Sequence, residues 1–210
     1  MLKVIIADDH SIIRYGLKQI ILEEYPEALI HEAQNSSEVF RFVKEYPLDL
    51  IVLDITMPSR DGIEVLKDLK KSNPKLPILI LSMHSEERFA VRALKSGAHG
   101  YLTKTSAPDE LGQAIKKILK GGKYITPSLA ELLADSFEQG EIESAANVLS
   151  DREYQVFLLI ASGKSVSECA EELSLSVNTI STYRARILEK LKLKTNADLT
   201  RYAINHGLID

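Results

Sequence analysis

The chain has 210 residues, of which 45% are hydrophobic, 27% charged and 6% aromatic. That length allows one large domain or two small ones, and the ordinary apolar fraction excludes a disordered or collagen-like chain. The net charge of −4 argues against a protein that coats nucleic acid, and the single cysteine, Cys169, excludes an internal disulfide framework and fits a reducing cytoplasm.

Taken in chain order, the first part alternates strands and helices. Lys3–Ala7 is apolar and β-branched, and no signal-peptide pattern precedes it. Ile12, Ile13, Leu17, Ile20 and Ile21 follow at helical spacing. Leu29–Ala33 reads as a short strand, and a helix with Val39, Phe40 and Val43 ends at Pro47. Asp49–Leu53 is a strand and Gly62–Lys71 a helix. Pro77–Leu81 is a strand, and the helix Glu86–Ser96 closes at Gly97. Ala98–Leu102 is the fifth strand, and Pro108–Lys120 the fifth helix, closed by Gly121-Gly122. No apolar run approaches the ~20 residues of a membrane span. Five short apolar strands alternating with helices predict a doubly wound α/β domain, a five-stranded parallel sheet covered on both faces. Residues 123–147 then read as a linker with a partial helix: between Tyr124 and Asp151 there is no Lys or Arg, only Asp and Glu.

In a doubly wound sheet, chemistry gathers at the carboxyl ends of the strands. Asp8 and Asp9 end the first strand, Asp54 the third and Ser82 the fourth; Lys104 follows the fifth. Clustered carboxylates repel one another unless a cation intervenes. Mg²⁺ is the expected ion, held by Asp8, Asp9 and Asp54, with the backbone carbonyl of Thr56 as a further oxygen. The bland reading is that Asp9 or Ser11 caps the first helix. Asp54 is the candidate nucleophile, because an ionised carboxylate can attack a phosphoryl group and carry it as an acyl phosphate. Lys104 and Ser82 would each meet a phosphoryl oxygen. The five histidines show no metal-ligand spacing. His10 reads as a helix-start residue beside the pocket, with a ligand role as the alternative. Cys169 reads as a buried core thiol.

The stretches Asp8-Asp9-His10, Asp54-Ile55-Thr56-Met57-Pro58 with Asp61-Gly62, Ser82, and Gly97-Ala98-x-Gly100-Tyr101-Leu102-Thr103-Lys104 resemble a bacterial response-regulator receiver domain over residues 1–122. Together they match the NarL/FixJ group, whose receivers are flavodoxin-like. The resemblance implies that a sensor histidine kinase donates a phosphoryl group to Asp54. It also implies that Tyr101 is an aromatic switch that turns inward when Ser82 moves towards the phosphoryl group. Such regulators often carry Thr where this chain has Ser82. The hydroxyl survives, and altered timing is expected.

The last part, 148–210, reads as helices only. It holds as many basic as acidic residues, but Arg184, Arg186, Lys190, Lys192 and Lys194 cluster against Glu189 alone. Ser150 with Glu153 fits a capping box. Val166–Leu173, the turn Ser174-Leu175-Ser176 and the helix Val177–Leu191 form a helix-turn-helix pattern. Leu149-Ser150-x-Arg152-Glu153, Gly163-Lys164-Ser165, Ala170-x-x-Leu173, Ser176-Val177-Asn178-Thr179-Ile180 and Lys190-Leu191 resemble a LuxR-type DNA-binding domain. By that resemblance the helix from Val177 enters the major groove of double-stranded DNA. Ser181, Thr182 and Ala185 would face base edges. Thr179, Arg184, Arg186, Lys190 and Lys194 are phosphate candidates, and Arg184 could instead read guanine. Tyr183 stands where His is common in this group; its ring either packs or bonds to phosphate.

The two resemblances imply a cytoplasmic, phosphorylation-controlled transcription regulator that is not an enzyme beyond accepting its own phosphoryl group. It would form a homodimer on paired half-sites when phosphorylated, with RNA polymerase a further partner and no membrane. The other readings are a metal-dependent phosphatase using Asp54 and a DNA binder indifferent to phosphate.

Overall fold

The computed structural model describes residues 1–57, 62–83, 86–138, 148–173, 175–206 and 208–209. Pro58 and Asp61 of the motif after the third strand, His84, the turn residue Ser174 and the acidic stretch from Gly140 to Ala146 lie outside the described residues. The chain divides into two compact units, Met1–Gly140 and Glu141–Asp210.

The first unit is a flavodoxin-like α/β fold. Its strands are β1 (Lys3–Ala7), β2 (Leu29–Ala33), β3 (Leu50–Asp54), β4 (Ile78–Ser82) and β5 (Gly100–Thr103). They form one sheet in the order β2-β1-β3-β4-β5, with every pairing parallel. The helices are α1 (Ser11–Glu24), α2 (Ser36–Glu45), α3 (Gly62–Ser72), α4 (Glu86–Lys95) and α5 (Ala107–Leu119). β3 and β4 are buried at every position, which is why they read as unbroken apolar runs and not as an alternation. Val4, Ile6, Val52, Leu81 and Leu102 pack on one face with Leu17 and Ile21 of α1 and Leu111, Ile115 and Ile118 of α5. Residues of the opposite parity, Ile5, Ile51, Leu53, Ile80 and Tyr101, are equally sealed on the other face. Each such side chain contributes about 1.5–3 kcal/mol on burial.

β1 and β2 fall where the apolar runs place them, whereas β3, β4 and β5 begin and end one or two residues later. β3 includes Asp54 and β4 includes Ser82, because parallel pairing carries the ladder past the last apolar residue. After α5 the chain returns to the sheet: Tyr124 bridges in parallel to Gly100, and its N–H donates to the His99 carbonyl at 2.8 Å. A side chain at Gly100 would press on Tyr124 Cβ at 3.0 Å and its carbonyl at 3.1 Å, so a glycine is required here. The Tyr124 hydroxyl donates to Glu110 of α5. α6 (Pro127–Glu138) then packs against α4.

The second unit contains α7 (Asp151–Ala161), α8 (Val166–Glu172), α9 (Val177–Lys190) and α10 (Asn196–Asn205). Ser150, Ser165, Ser176 and Thr195 each cap one of them, at about 1 kcal/mol per cap. Leu149, Val156, Phe157, Ile160, Cys169, Ile180, Ile187 and Leu199 form the core. Cys169 is a buried thiol whose pKa burial pushes up.

Candidate functional site

Strand register assembles the first site. Ala7 pairs with Leu53, so Asp8 and Asp54 emerge side by side from adjacent strands. Asp54 pairs with Leu81, and Ser82 with Thr103, which precedes Lys104. The Lys104 N–H donates to the Ser82 carbonyl at 2.7 Å and fixes the approach of its side chain. Asp8, Asp54 and Ser82 are fully buried. The Lys104 ammonium, itself 4% exposed, lies 2.7 Å from Asp8 Oδ2 and 2.8 Å from Asp54 Oδ2. Thus Asp8, Asp54, Ser82 and Lys104, far apart in the sequence, meet in one crevice. Tyr101 is buried within β5, paired with Ile80.

Burial pushes the Asp54 carboxyl above the usual carboxylate range. Lys104 and the Thr56 amide act against this, while the charge of Asp8 adds to it. Burial also disfavours the Lys104 ammonium, but its contacts with Asp54 and Asp8 win and hold its pKa above the ordinary lysine value. The crevice therefore keeps a fixed cation against a carboxylate that is costly to ionise.

Asp8, Asp9, His10 and Asp54 offer ligand atoms within 4.8 Å of one another, a set that could hold a metal ion. Asp8 Oδ2 and Asp9 Oδ1 are buried and receive no hydrogen bond, although Lys104 and His10 respectively stand close to them. Hard carboxylate oxygens with unfilled acceptor capacity are the donors a divalent cation needs. His10, not Asp9 or Ser11, stands at the N-cap of α1, and its side chain makes no capping bond.

Three contributions were not anticipated: the hydroxyl and amide of Thr56, the buried Arg14, and the tight packing of Gly62. The Thr56 hydroxyl donates to Asp54 Oδ1 at 2.9 Å, and the Thr56 N–H donates to the same oxygen at 3.0 Å. Arg14 is buried on α1, donates from Nη1 to the Asp8 carbonyl at 2.8 Å, and has Nε 3.4 Å from Glu32. Its signal was available: position 14 falls on the stripe of Leu17 and Ile21, where a charge needs a partner. Gly62 begins α3 against the turn after Asp54. A Cβ there would lie 2.5 Å from Ile55 Cα and 2.6 Å from its carbonyl oxygen.

The second site lies on α9. Ser181, Thr182, Ala185, Arg186, Lys190 and Lys194 are exposed, and Thr179, Tyr183 and Arg184 are half-buried. The Thr179 N–H bonds to the cap Ser176, and the Thr182 hydroxyl bonds back to the Asn178 carbonyl. Two of the cations are already engaged. Arg184 Nε donates to Asn196 Oδ1 at 2.6 Å, tying α9 to α10. Lys190 Nζ lies 2.6 Å from Glu153 Oε2, and Glu153 also closes the capping box with Ser150. Burial opposes the charge on Glu153, but the Lys190 and Ser150 bonds prevail and hold its pKa below the usual range. Among the described residues, Arg186 and Lys194 form no ion pair.

The receiver-domain model of response regulators matches residues 4–116. The model of bacterial regulatory proteins of the LuxR family matches residues 147–203. The chain is 32% identical to the response regulator GacA of Pseudomonas aeruginosa over 211 residues, covering 100% of this chain and 99% of the relative. It is also 32% identical to the response regulator UvrY of Escherichia coli K12 over 209 residues, covering 99% and 96%. Among solved structures, the Salmonella typhimurium RcsB response regulator aligns with a TM-score of 0.61 at 28% identity, covering 96% of this chain and 98% of that one. An RcsB–DNA complex aligns at 0.59 and 27%, covering 100% and 99%, and RcsB dimers bound to two parallel DNAs align at 0.60 and 27%.

The fold and the crevice define a receiver coupled to a helix-turn-helix module. The chain belongs to the NarL/FixJ family of response regulators and is a DNA-binding transcription regulator controlled through phosphorylation. Among the described residues, no helix is long and apolar enough to cross a membrane.

Proposed function

We propose that Asp54 is the phosphoacceptor and that a sensor histidine kinase is its donor. A carboxylate oxygen of Asp54 forms the new O–P bond as the N–P bond of a phosphohistidine breaks, and the imidazole leaves with a proton. Asp8, Asp9 and Asp54, with the Thr56 carbonyl as a further oxygen, would hold Mg²⁺, which would neutralise charge on the transferring oxygens. Lys104 is placed to exchange its contact with Asp54 for one with a phosphoryl oxygen, and Ser82 supplies a hydroxyl to another. Tyr101, which the resemblance has turning inward, is already fully buried here. The chain is not an enzyme beyond this acceptance of its own phosphoryl group. A metal-dependent phosphatase would need an acid two residues after the nucleophile, where this chain has Thr56, whose hydroxyl donates to Asp54.

Phosphorylation then favours a homodimer whose two α9 helices meet paired half-sites in the cytoplasm, with RNA polymerase a further partner. Ser181, Thr182 and Ala185 face the bases. Thr179, Tyr183, Arg184, Arg186, Lys190 and Lys194 lie along the backbone side. The reading rests above all on the Lys104 ammonium lying within 2.8 Å of both Asp8 and Asp54. A small phosphodonor with Mg²⁺ should label the wild-type chain and leave Asp54→Asn unlabelled; a labelled variant would falsify the assignment.

A further inference from the structure

The ligand atoms that converge beside Asp54 are not all oxygens. His10 Nδ1 lies 2.8 Å from Asp9 Oδ1 and 3.2 Å from Asp8 Oδ1, and it belongs to the same group as the three carboxylates. Its position is fixed from the backbone, because the His10 N–H donates to Asp8 Oδ1 at 2.8 Å. The ring, whose side chain is 65% exposed, makes no bond to the helix end that it begins and is paired instead with these two carboxylates. An imidazole held against two carboxylates is a mixed nitrogen and oxygen donor set.

We propose that His10 is a nitrogen ligand of this metal site and sets its preference among cations, favouring Ni²⁺, Co²⁺ or Zn²⁺ over Mg²⁺. The proposal rests on the reading that Asp8, Asp9 and Asp54 hold a divalent ion. Mg²⁺ is hard, keeps several of its waters and gains little from an imidazole. Later first-row ions bind imidazole strongly and rise in affinity towards copper. His10 therefore adds to the affinity for the second class and leaves the first nearly untouched. Mg²⁺ loading then depends on its abundance, and a borderline ion competes for the same carboxylates wherever it is available.

The test is calorimetric titration of the full-length chain with Ni²⁺ and, separately, with Mg²⁺. His10→Ala should weaken Ni²⁺ binding at this site by about tenfold or more, in the range typical of lost ligand support, while Mg²⁺ affinity moves by less than about twofold. His10→Gln, which retains a donor without the imidazole, should behave like His10→Ala. In the Mn²⁺-loaded chain, electron spin-echo spectroscopy should show a directly bound nitrogen that both variants lose. Asp8→Asn serves as the reference and should weaken both ions. If His10→Ala weakens both ions equally, or leaves Ni²⁺ unchanged, His10 acts only through Asp9 or not at all, and the proposal is overturned. If Asp8→Asn leaves both ions unaffected, the carboxylate site itself is wrong, a distinct failure.

Discussion

Asp8, Asp54, Ser82 and Lys104 come from the ends of four strands and are almost sealed from solvent, whereas Ser181, Thr182, Ala185 and Arg186 follow one another along one exposed helix. In the first unit, the sheet register decides which side chains meet, and burial sets their charge energetics. In the second, the register is local, and the open variable is which cations are free. The crevice is therefore sensitive to the loss of any one partner, while the helix degrades in steps, residue by residue.

The harshest way to break this contrast is Lys104→Met, which leaves two buried carboxylates without a cation. It should destabilise the first unit by about 3–5 kcal/mol in urea unfolding without added metal, and Asp54→Asn in the same chain should recover part of the loss. Gly62→Ala forces a Cβ against the Ile55 backbone and should cost about 1–3 kcal/mol, together with slower labelling by a small phosphodonor. Ser150→Ala, in the second unit, should cost about 1 kcal/mol. On DNA, Arg186→Ala should flatten the salt dependence by about one unit of slope. Lys190→Ala, whose ammonium is committed to Glu153, should change the slope less and the stability of the second unit more. Equal slopes for the two variants would erase the distinction between free and engaged cations.

Acid sharpens the comparison most gently. The Asp54 pKa is raised, so its contribution favours folding below the unfolded value and is lost as pH rises through the folded one. At neutral pH, Asp54→Asn should therefore stabilise the first unit. Glu153 has the opposite sign. Its contribution is present above the unfolded carboxylate pKa and is lost as pH falls through the depressed folded value. Amide exchange should show acidification loosening α7 while β3 gains protection from Asp54.

Most of the crevice was legible because it depends on order. Apolar runs fix the strands, parallel winding fixes which ends are neighbours, and polar residues at those ends must then meet. Thr56 was read for its carbonyl, but the direction of its hydroxyl depends on the turn that Gly62 closes. The pairing of Lys190 with Glu153 was hidden because it crosses 37 residues and depends on how α7 crosses α9. Tyr124 was hidden for another reason: a single bridge residue has no period. Arg14 was the lapse, since a charge on an apolar stripe announces a buried partner.

The bridge from Tyr124 to Gly100 gives the segment between α5 and α6 a stiff root. That segment is gripped by main-chain pairing to the strand that bears Tyr101 and by the bond from Tyr124 to Glu110. The chain that runs from α5 to α6 is thus pinned at the Gly100 end of β5, the end away from Lys104.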